Sequence, residues 1–304
     1  MKKLKFLLLG LLMPWYAFGW NSVGHSTAGA VAYYYLLKNN PAVLQKVLAT
    51  LKLHYWYNTP HWKSLLAQLP ANQQDAGLFM LASTYPDDAK NDPGNMDGDS
   101  IHRMWHFIDF PYVPAGSTVT GQPPETPNAQ QKIADFTASI PQEQDSPQRA
   151  LELAWLFHIV EDIHQPLHCA MMFNGAFPNG DLGGNFIKIK PVGTAKNLHA
   201  YWDDLVAGSI TTYATKAQAL LKKSKYQLSK LPELADTDPN DWMFKESFPD
   251  AVSTTYQKDS INWSPTHLTT LMPAYKKAAS ALGERRVVLS GIRLAQLLVT
   301  MYGS

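Results

Sequence analysis

The sequence predicts a mainly α-helical single domain with little sheet, and three observations carry that prediction. Apolar residues recur at helical spacing in long segments, as in Leu151, Trp155, Val160 and Ile163. A helix-start signal precedes that segment, with Ser146 as N-cap and Pro147 in the first helical position. Only residues 185–190, Asn-Phe-Ile-Lys-Ile-Lys, alternate in the manner of a strand.

In chain order, Lys2, Lys3 and Lys5 followed by the apolar run 6–13 have the form of a secretory signal peptide. Ala17-Phe-Gly19 offers a small-x-small cleavage site that makes Trp20 the new amino terminus. The run is short for a membrane span, and no other stretch approaches the ~20 apolar residues needed. Residues 1–19 are therefore expected to be removed and the rest exported, to a periplasm or outside the cell, with no stable membrane association. Helices are expected over 23–37, 73–84, from Pro147 until Pro166 stops the chain, 198–206, 212–228, 239–252 and 266–301, the last interrupted near Gly283. Pro86, Pro111 and Pro114 punctuate loops, and 114–127 reads as irregular. Residues 174–184, with glycines at 175, 180, 183 and 184, form a loop that leads into the short strand. No repeat or low-complexity linker divides residues 20–304, so they are expected to form one catalytic domain with a full core.

Removing Lys2, Lys3 and Lys5 from 26 basic residues leaves 23 against 25 acidic ones, a formal charge of −2. Such a surface excludes nucleic-acid binding by a general cationic field, so any phosphate site must be locally positive. Cys169 is the only cysteine, so no intrachain disulfide can form. Beside Ala170 and Met171 it reads as a small buried hydrophobe.

The most specific pattern is His158-Ile-Val-Glu-Asp162-Ile-His-Gln-Pro-Leu-His168 followed by Asn197-Leu-His199-Ala-Tyr-Trp-Asp203. Each places a histidine and an aspartate four residues apart, on one face of a helix. One such pair is common as an ordinary hydrogen-bonded pair. Two pairs among apolar neighbours are a stronger signal, because a buried carboxylate needs a cation or hydrogen-bond partners. Nitrogen and oxygen donors without thiolates favour zinc, although ligand type alone leaves manganese and iron open. Weaker candidates are His25, five residues beyond Trp20, Asp87 closing a helix after Tyr85-Pro86, and His106 among apolar residues.

Together these segments resemble the zinc-dependent nuclease and 3′-nucleotidase family known from secreted fungal and plant single-strand nucleases, which shares its fold with zinc-dependent phospholipase C. The resemblance runs from Trp20 to the Gly291-Ile-Arg-Leu-Ala295 stretch. It implies a multi-helix fold and three zinc ions. Asp87, His106, His158 and Asp162 would surround one ion. Trp20, through its α-amino nitrogen and carbonyl oxygen, would hold a second with His25 and Asp162, and His168, His199 and Asp203 would hold the third. Asp162 would thus bridge two metals. Asp87, Lys90 and Asp162 take the catalytic roles, with Lys90 and Asn185, after Gly183-Gly184, on the substrate.

The implied activity is hydrolysis of single-stranded DNA and RNA to 5′-phosphorylated products, with 3′-nucleotidase action on mononucleotides, by a monomer. Zinc lowers the pKa of bound water to about 7, which suits attack on phosphorus. Single strands are preferred because an unpaired nucleotide unstacks cheaply into a recessed site. Tyr85, Trp105, Phe107, Tyr112 and Trp202 are candidates for a stacking platform, or for core. The chain departs from the family at Asn21, where glycine is usual, in a longer loop between His168 and Gly183, in its lack of disulfides, and at Pro111, where some members carry a base-contacting acid. His54, His61, His102, His164 and His267 match no motif and are expected in supporting or surface roles. The enzyme alternative is a zinc-dependent phospholipase C acting on phospholipid head groups, disfavoured by the short Trp20-to-His25 spacing. A zinc-sequestering or adhesion protein is the alternative of another class, disfavoured because no ligand is missing.

Overall fold

Asn21 starts the first helix: its side-chain oxygen accepts the backbone N–H groups of Val23 and Gly24, which have no partner within a helix's first turn. The computed structural model describes residues 20–90, 102–206 and 208–303. The main helices are α1 (Ser22–Asn39), α2 (Pro41–Leu51), α3 (Pro60–Ala67), α4 (Gln74–Ala89), α5 (Ala129–Ser139), α6 (Pro147–Asp162), α7 (Leu198–Asp203), α8 (Ile210–Lys222) and α9 (Pro273–Tyr302). Strands are few and short. β1 (Pro111–Tyr112) runs parallel to β2 (Met171–Met172), and β3 (Lys188–Val192) pairs antiparallel with β4 (Ala195–Asn197).

Helix α1 is the central element. It is buried continuously from Gly24 to Tyr33 and packs against α4, α8 and α9, while α4 packs on α6. Its composition explains this: Ser26, Ala28, Gly29 and Ala30 are small, so neighbours approach on several sides. A Cβ on Gly29 would collide with Ser83 Oγ and the Phe79 carbonyl, and one on Gly291 of α9 would lie 2.5 Å from the Ala28 carbonyl oxygen. The two glycines let α4 and α9 close on α1. The main core fills the space among α1, α2, α4, α5 and α6 with Leu36, Leu44, Trp62, Phe79, Phe157 and Leu298.

The mainly α fold agrees with the sequence prediction, and several boundaries differ for identifiable reasons. Helix α4 continues through Pro86 to Ala89, so Asp87 lies within its last turn instead of ending it. Tyr85, Pro86 and Ala89 are all buried, and that packing outweighs the hydrogen bond a proline forgoes. Helix α9 is unbroken at Gly283, where a Cβ would lie 2.9 Å from Leu205 Cδ1; this glycine admits a neighbour and interrupts nothing. It begins at Pro273, later than expected, because the preceding segment bridges β3 at Ile189 and Thr269. The strand begins at Lys188, not Asn185, since Asn185 closes a turn onto the Leu182 carbonyl. Helix α8 ends at Lys222 and gives way to 3-10 turns. Helices α2, α3 and α5 lie in segments where none was expected. The expected signal peptide falls outside the described residues. No helix among the described residues is long and apolar enough to cross a membrane.

Candidate metal centre

Six elements converge on one buried region. Helix α1 brings His25, α4 brings Asp87 with Lys90 at its C-cap, and a 3-10 turn (Arg103–His106) brings His106. Helix α6 supplies His158 and Asp162, then turns through Gln165 into a second 3-10 turn (Pro166–His168) that carries His168. Helix α7, capped by Asn197 accepting the Ala200 N–H, supplies His199 and Asp203. The i,i+4 spacing of both pairs acts as expected: His158 Nε2 is 3.1 Å from Asp162 Oδ2, and His199 Nε2 is 3.5 Å from Asp203 Oδ2.

The donors fall into three groups, each with ligand atoms within 4.8 Å of one another: His25, Asp87 and His158; His106, His158 and Asp162; and His168, His199 and Asp203. The third is the set expected from sequence. The first two share His158 and divide the remaining donors differently from the expected partition. Asp162 is nonetheless the hub, 3.3 Å from His25 Nε2, 3.0 Å from His106 Nδ1 and 3.9 Å from His168 Nδ1.

Hydrogen bonds decide which nitrogen of each ring can act as a ligand. The Nδ1 atoms of His158, His168 and His199 donate to the carbonyls of Ser83, His106 and Gly183 at 2.8, 2.7 and 2.7 Å. His25 Nδ1 donates to Glu161 at 2.7 Å. In all four rings the lone pair is thereby placed on Nε2, the arrangement that metal-binding imidazoles adopt. The carbonyls are positioned by local backbone conformation; the 182–184 turn, for example, has φ values of 52°, 56° and 84°.

The region is also electrostatically unfinished. His25 Nε2, His106 Nε2 and Asp162 Oδ1 are buried and make no hydrogen bond among the described residues. Burial would push His25 down, but Asp162 and Glu161 outweigh it and raise it to about 10, so a cation binding at Nε2 displaces the proton those carboxylates favour there. Burial, aided by Lys90, pushes His106 down to about 3. Burial would lift Asp162, yet the surrounding histidines hold it well below the usual carboxylate range. Burial drives Asp203 well above that range although Gln165 donates to it. Orphaned nitrogen and oxygen donors gathered within 4.8 Å of one another fit a divalent cation such as zinc, which takes nitrogen and oxygen ligands at about 2.0–2.2 Å.

Trp20 is fully buried; its indole N–H donates to the Glu161 carbonyl and its ring packs with Ala28, Val206 and Val287. Asn21 N–H donates to the Asp203 carbonyl at 3.2 Å, which holds the segment entering α1 beside the third group. Lys90 Nζ lies 2.7 Å from Asp87 Oδ1. Asn185 is half-buried and its amide donates to Leu182. Tyr85 and Trp202 are core residues, 1% and 0% exposed, which removes them from any stacking platform; Trp105, Phe107 and Tyr112 are half-buried.

These observations meet an independent one: the chain matches the family described as S1/P1 Nuclease over residues 20–303. The chain belongs to the S1/P1 nuclease family. Among relatives, Endonuclease 3 of Arabidopsis thaliana is 31% identical over 161 residues, covering 50% of this chain and 51% of that protein. Nuclease S1 of Aspergillus oryzae is 23% identical over 293 residues, covering 92% of this chain and 91% of its own. Nuclease P1 of Penicillium citrinum is 24% identical over 184 residues, covering 60% and 57%. The chain thus spans about half the length of the plant relatives it matches and nearly all of the Aspergillus one.

Two residues that support this candidate centre escaped sequence reasoning. Glu161 is fully buried and holds His25. Gln165 donates to Asp203 Oδ1 at 2.8 Å while accepting the Leu167 N–H. The turn they flank is braced from outside: Arg293 donates to His164 Nε2 at 3.0 Å and pairs with Glu246, and Ser247 donates to the Ile163 carbonyl. His164 and His54 are therefore buried structural histidines, while His61 and His267 are exposed. Cys169 is fully buried, its thiol against the Ile163 carbonyl.

Proposed function

We propose that the chain, as a single domain from Trp20 onward, is a zinc-dependent phosphodiesterase that hydrolyses single-stranded DNA and RNA to 5′-phosphorylated products and releases phosphate from 3′-nucleotides. The supporting observation is the shared tautomer pattern: four buried histidines are hydrogen-bonded at Nδ1 so that their Nε2 lone pairs meet three aspartates. Membership of a nuclease family supplies the reaction class.

The residues suited to hold three zinc ions are His25, Asp87, His106, His158, Asp162, His168, His199 and Asp203. Trp20 joins them through its α-amino nitrogen and carbonyl oxygen once a leader is removed. Zinc, when bound, supplies Lewis acidity that activates water near neutral pH and stabilises a departing 3′-oxygen. Asp162, reached by four histidines, holds the groups in register. Lys90 supplies the cation that offsets charge on the phosphate, and Asn185 supplies an amide at the rim. The buried setting favours substrates whose nucleotides unstack readily, hence single strands. The mature protein is proposed to act as an exported monomer.

The decisive assay incubates the mature protein with a single-stranded oligonucleotide, a 3′-nucleotide and phosphatidylcholine. Expected are 5′-phosphate ends, phosphate release from the nucleotide, loss of both on chelation and recovery with zinc. Hydrolysis of the lipid alone would reassign the site to phospholipase chemistry.

A further inference from the structure

We infer that Glu161 is the positioning residue of the His25 metal group: its carboxylate fixes which imidazole nitrogen faces the cation. The inference rests on the metal reading above. Glu161 precedes Asp162 by one residue, about 100° around helix α6, and so turns toward α1 and α4 while Asp162 faces the donor cluster. It has no exposed surface. Its Oε2 accepts from His25 Nδ1 at 2.7 Å, its Oε1 from Ser83 Oγ at 2.8 Å, and its carbonyl from the Trp20 indole at 3.1 Å.

A carboxylate is a poor filler for a dry core, where an apolar side chain of the same volume would cost less. Here each carboxylate oxygen accepts one hydrogen bond, and the consequence falls on His25. With Nδ1–H committed to Glu161, Nε2 carries the lone pair and stands 3.3 Å from Asp162 Oδ1 and 4.0 Å from Asp87 Oδ2. A carboxylate behind a ligand imidazole also strengthens it as a donor. Ser83 completes the device. Its hydroxyl holds Glu161, and its carbonyl holds His158 Nδ1, so the stacked rings of His25 and His158, 4.0 Å apart at 20°, both present Nε2. Gly29 leaves the space that the Ser83 hydroxyl occupies. The Trp20 indole bond ties the chain's first described residue to the same point, so one side chain and its backbone set two candidate ligands of a single metal.

The test measures zinc retained per chain as mature holoprotein is titrated with a chelator, for wild type, Glu161→Gln and Ser83→Ala. Glu161→Gln keeps shape and removes the charge. The expected result is that one zinc equivalent is lost at a chelator concentration about 10–100-fold lower, with the others retained. Ser83→Ala should shift the same equivalent by less. Ring ¹⁵N shifts of His25 in the holoprotein should show Nδ1 less deshielded in Glu161→Gln than in wild type, because the imidazolate character imposed by a carboxylate partner is lost, which a mere packing role would not produce. Wild-type retention curves in both variants overturn the role of Glu161. If Glu161→Gln does not fold, Ser83→Ala decides: an unchanged curve overturns the proposal and a selective shift supports it. A wild-type chain that takes up no zinc overturns the metal reading itself.

Discussion

Replacing Asp162 with asparagine removes one charge and little volume from a carboxylate that lies 3.0–3.3 Å from nitrogens of His106, His158 and His25. In chelated protein, an imidazolium at about 3.3 Å attracts it by about 5 kcal/mol at an effective dielectric near 20, before desolvation is subtracted. Breaking a fully buried pair costs about 3–5 kcal/mol, because the remaining charge is left unpaired. The chelated Asp162→Asn variant should therefore lose about 3–5 kcal/mol in urea unfolding, or about 5–8 °C in melting temperature for a domain of this size. In the zinc-loaded protein the same change removes a donor from the group of His106 and His158 and the neighbour 3.3 Å from His25 in another, so zinc should fall by up to two equivalents and turnover should drop below detection. A variant with wild-type zinc content, stability and rate would refute the hub role assigned to Asp162.

Gln165→Ala should leave Asp203 Oδ1 without its donor and weaken zinc at the third group about 10–100-fold, read from the chelator needed to strip one equivalent. Gly291→Ala places a Cβ 2.5 Å from the Ala28 carbonyl; despite alanine's better helix propensity it should destabilise the chain by about 1–3 kcal/mol in thermal melts, and a gain would refute the close packing of α1 on α9. Burial pushes His54 down to about 3, so it is neutral in the fold and charged in the unfolded chain below pH 6.5. Its depressed pKa means stability present above pH 6.5 is lost as pH falls toward 3, by up to about 1.4 kcal/mol per unit. His54→Phe should flatten urea stability between pH 6 and 4, and an unchanged slope would contradict this account.

Much of this molecule is legible in its sequence because its signals are local. Ser146 and Pro147 start α6 where expected, with Ser146 accepting the Arg149 N–H. The His-to-Asp spacing determines two donor pairs before any fold is known. Helices α3 and α5 carried comparable signals, Thr59-Pro60 and the Asn128 to Gln131 capping box, but short segments with weak periodicity hid them. Pro86 and Gly283 misled for the opposite reason: a breaker acts locally, whereas the packing that overrides it comes from distant residues. Glu161 and Gln165 were invisible as supports for the same cause, since their partners His25 and Asp203 lie 136 and 38 residues away. The division of donors into groups likewise depends on how α1, α4 and α6 meet, which no spacing encodes.

Elemental analysis of the mature protein, paired with hydrolysis of a single-stranded oligonucleotide before and after metal removal, is the sharpest test of whether bound zinc performs the cleavage. Three zinc ions per chain are expected, with activity that disappears with them and returns when they do. A chain that carries no zinc, or that cleaves equally well without it, would contradict that expectation.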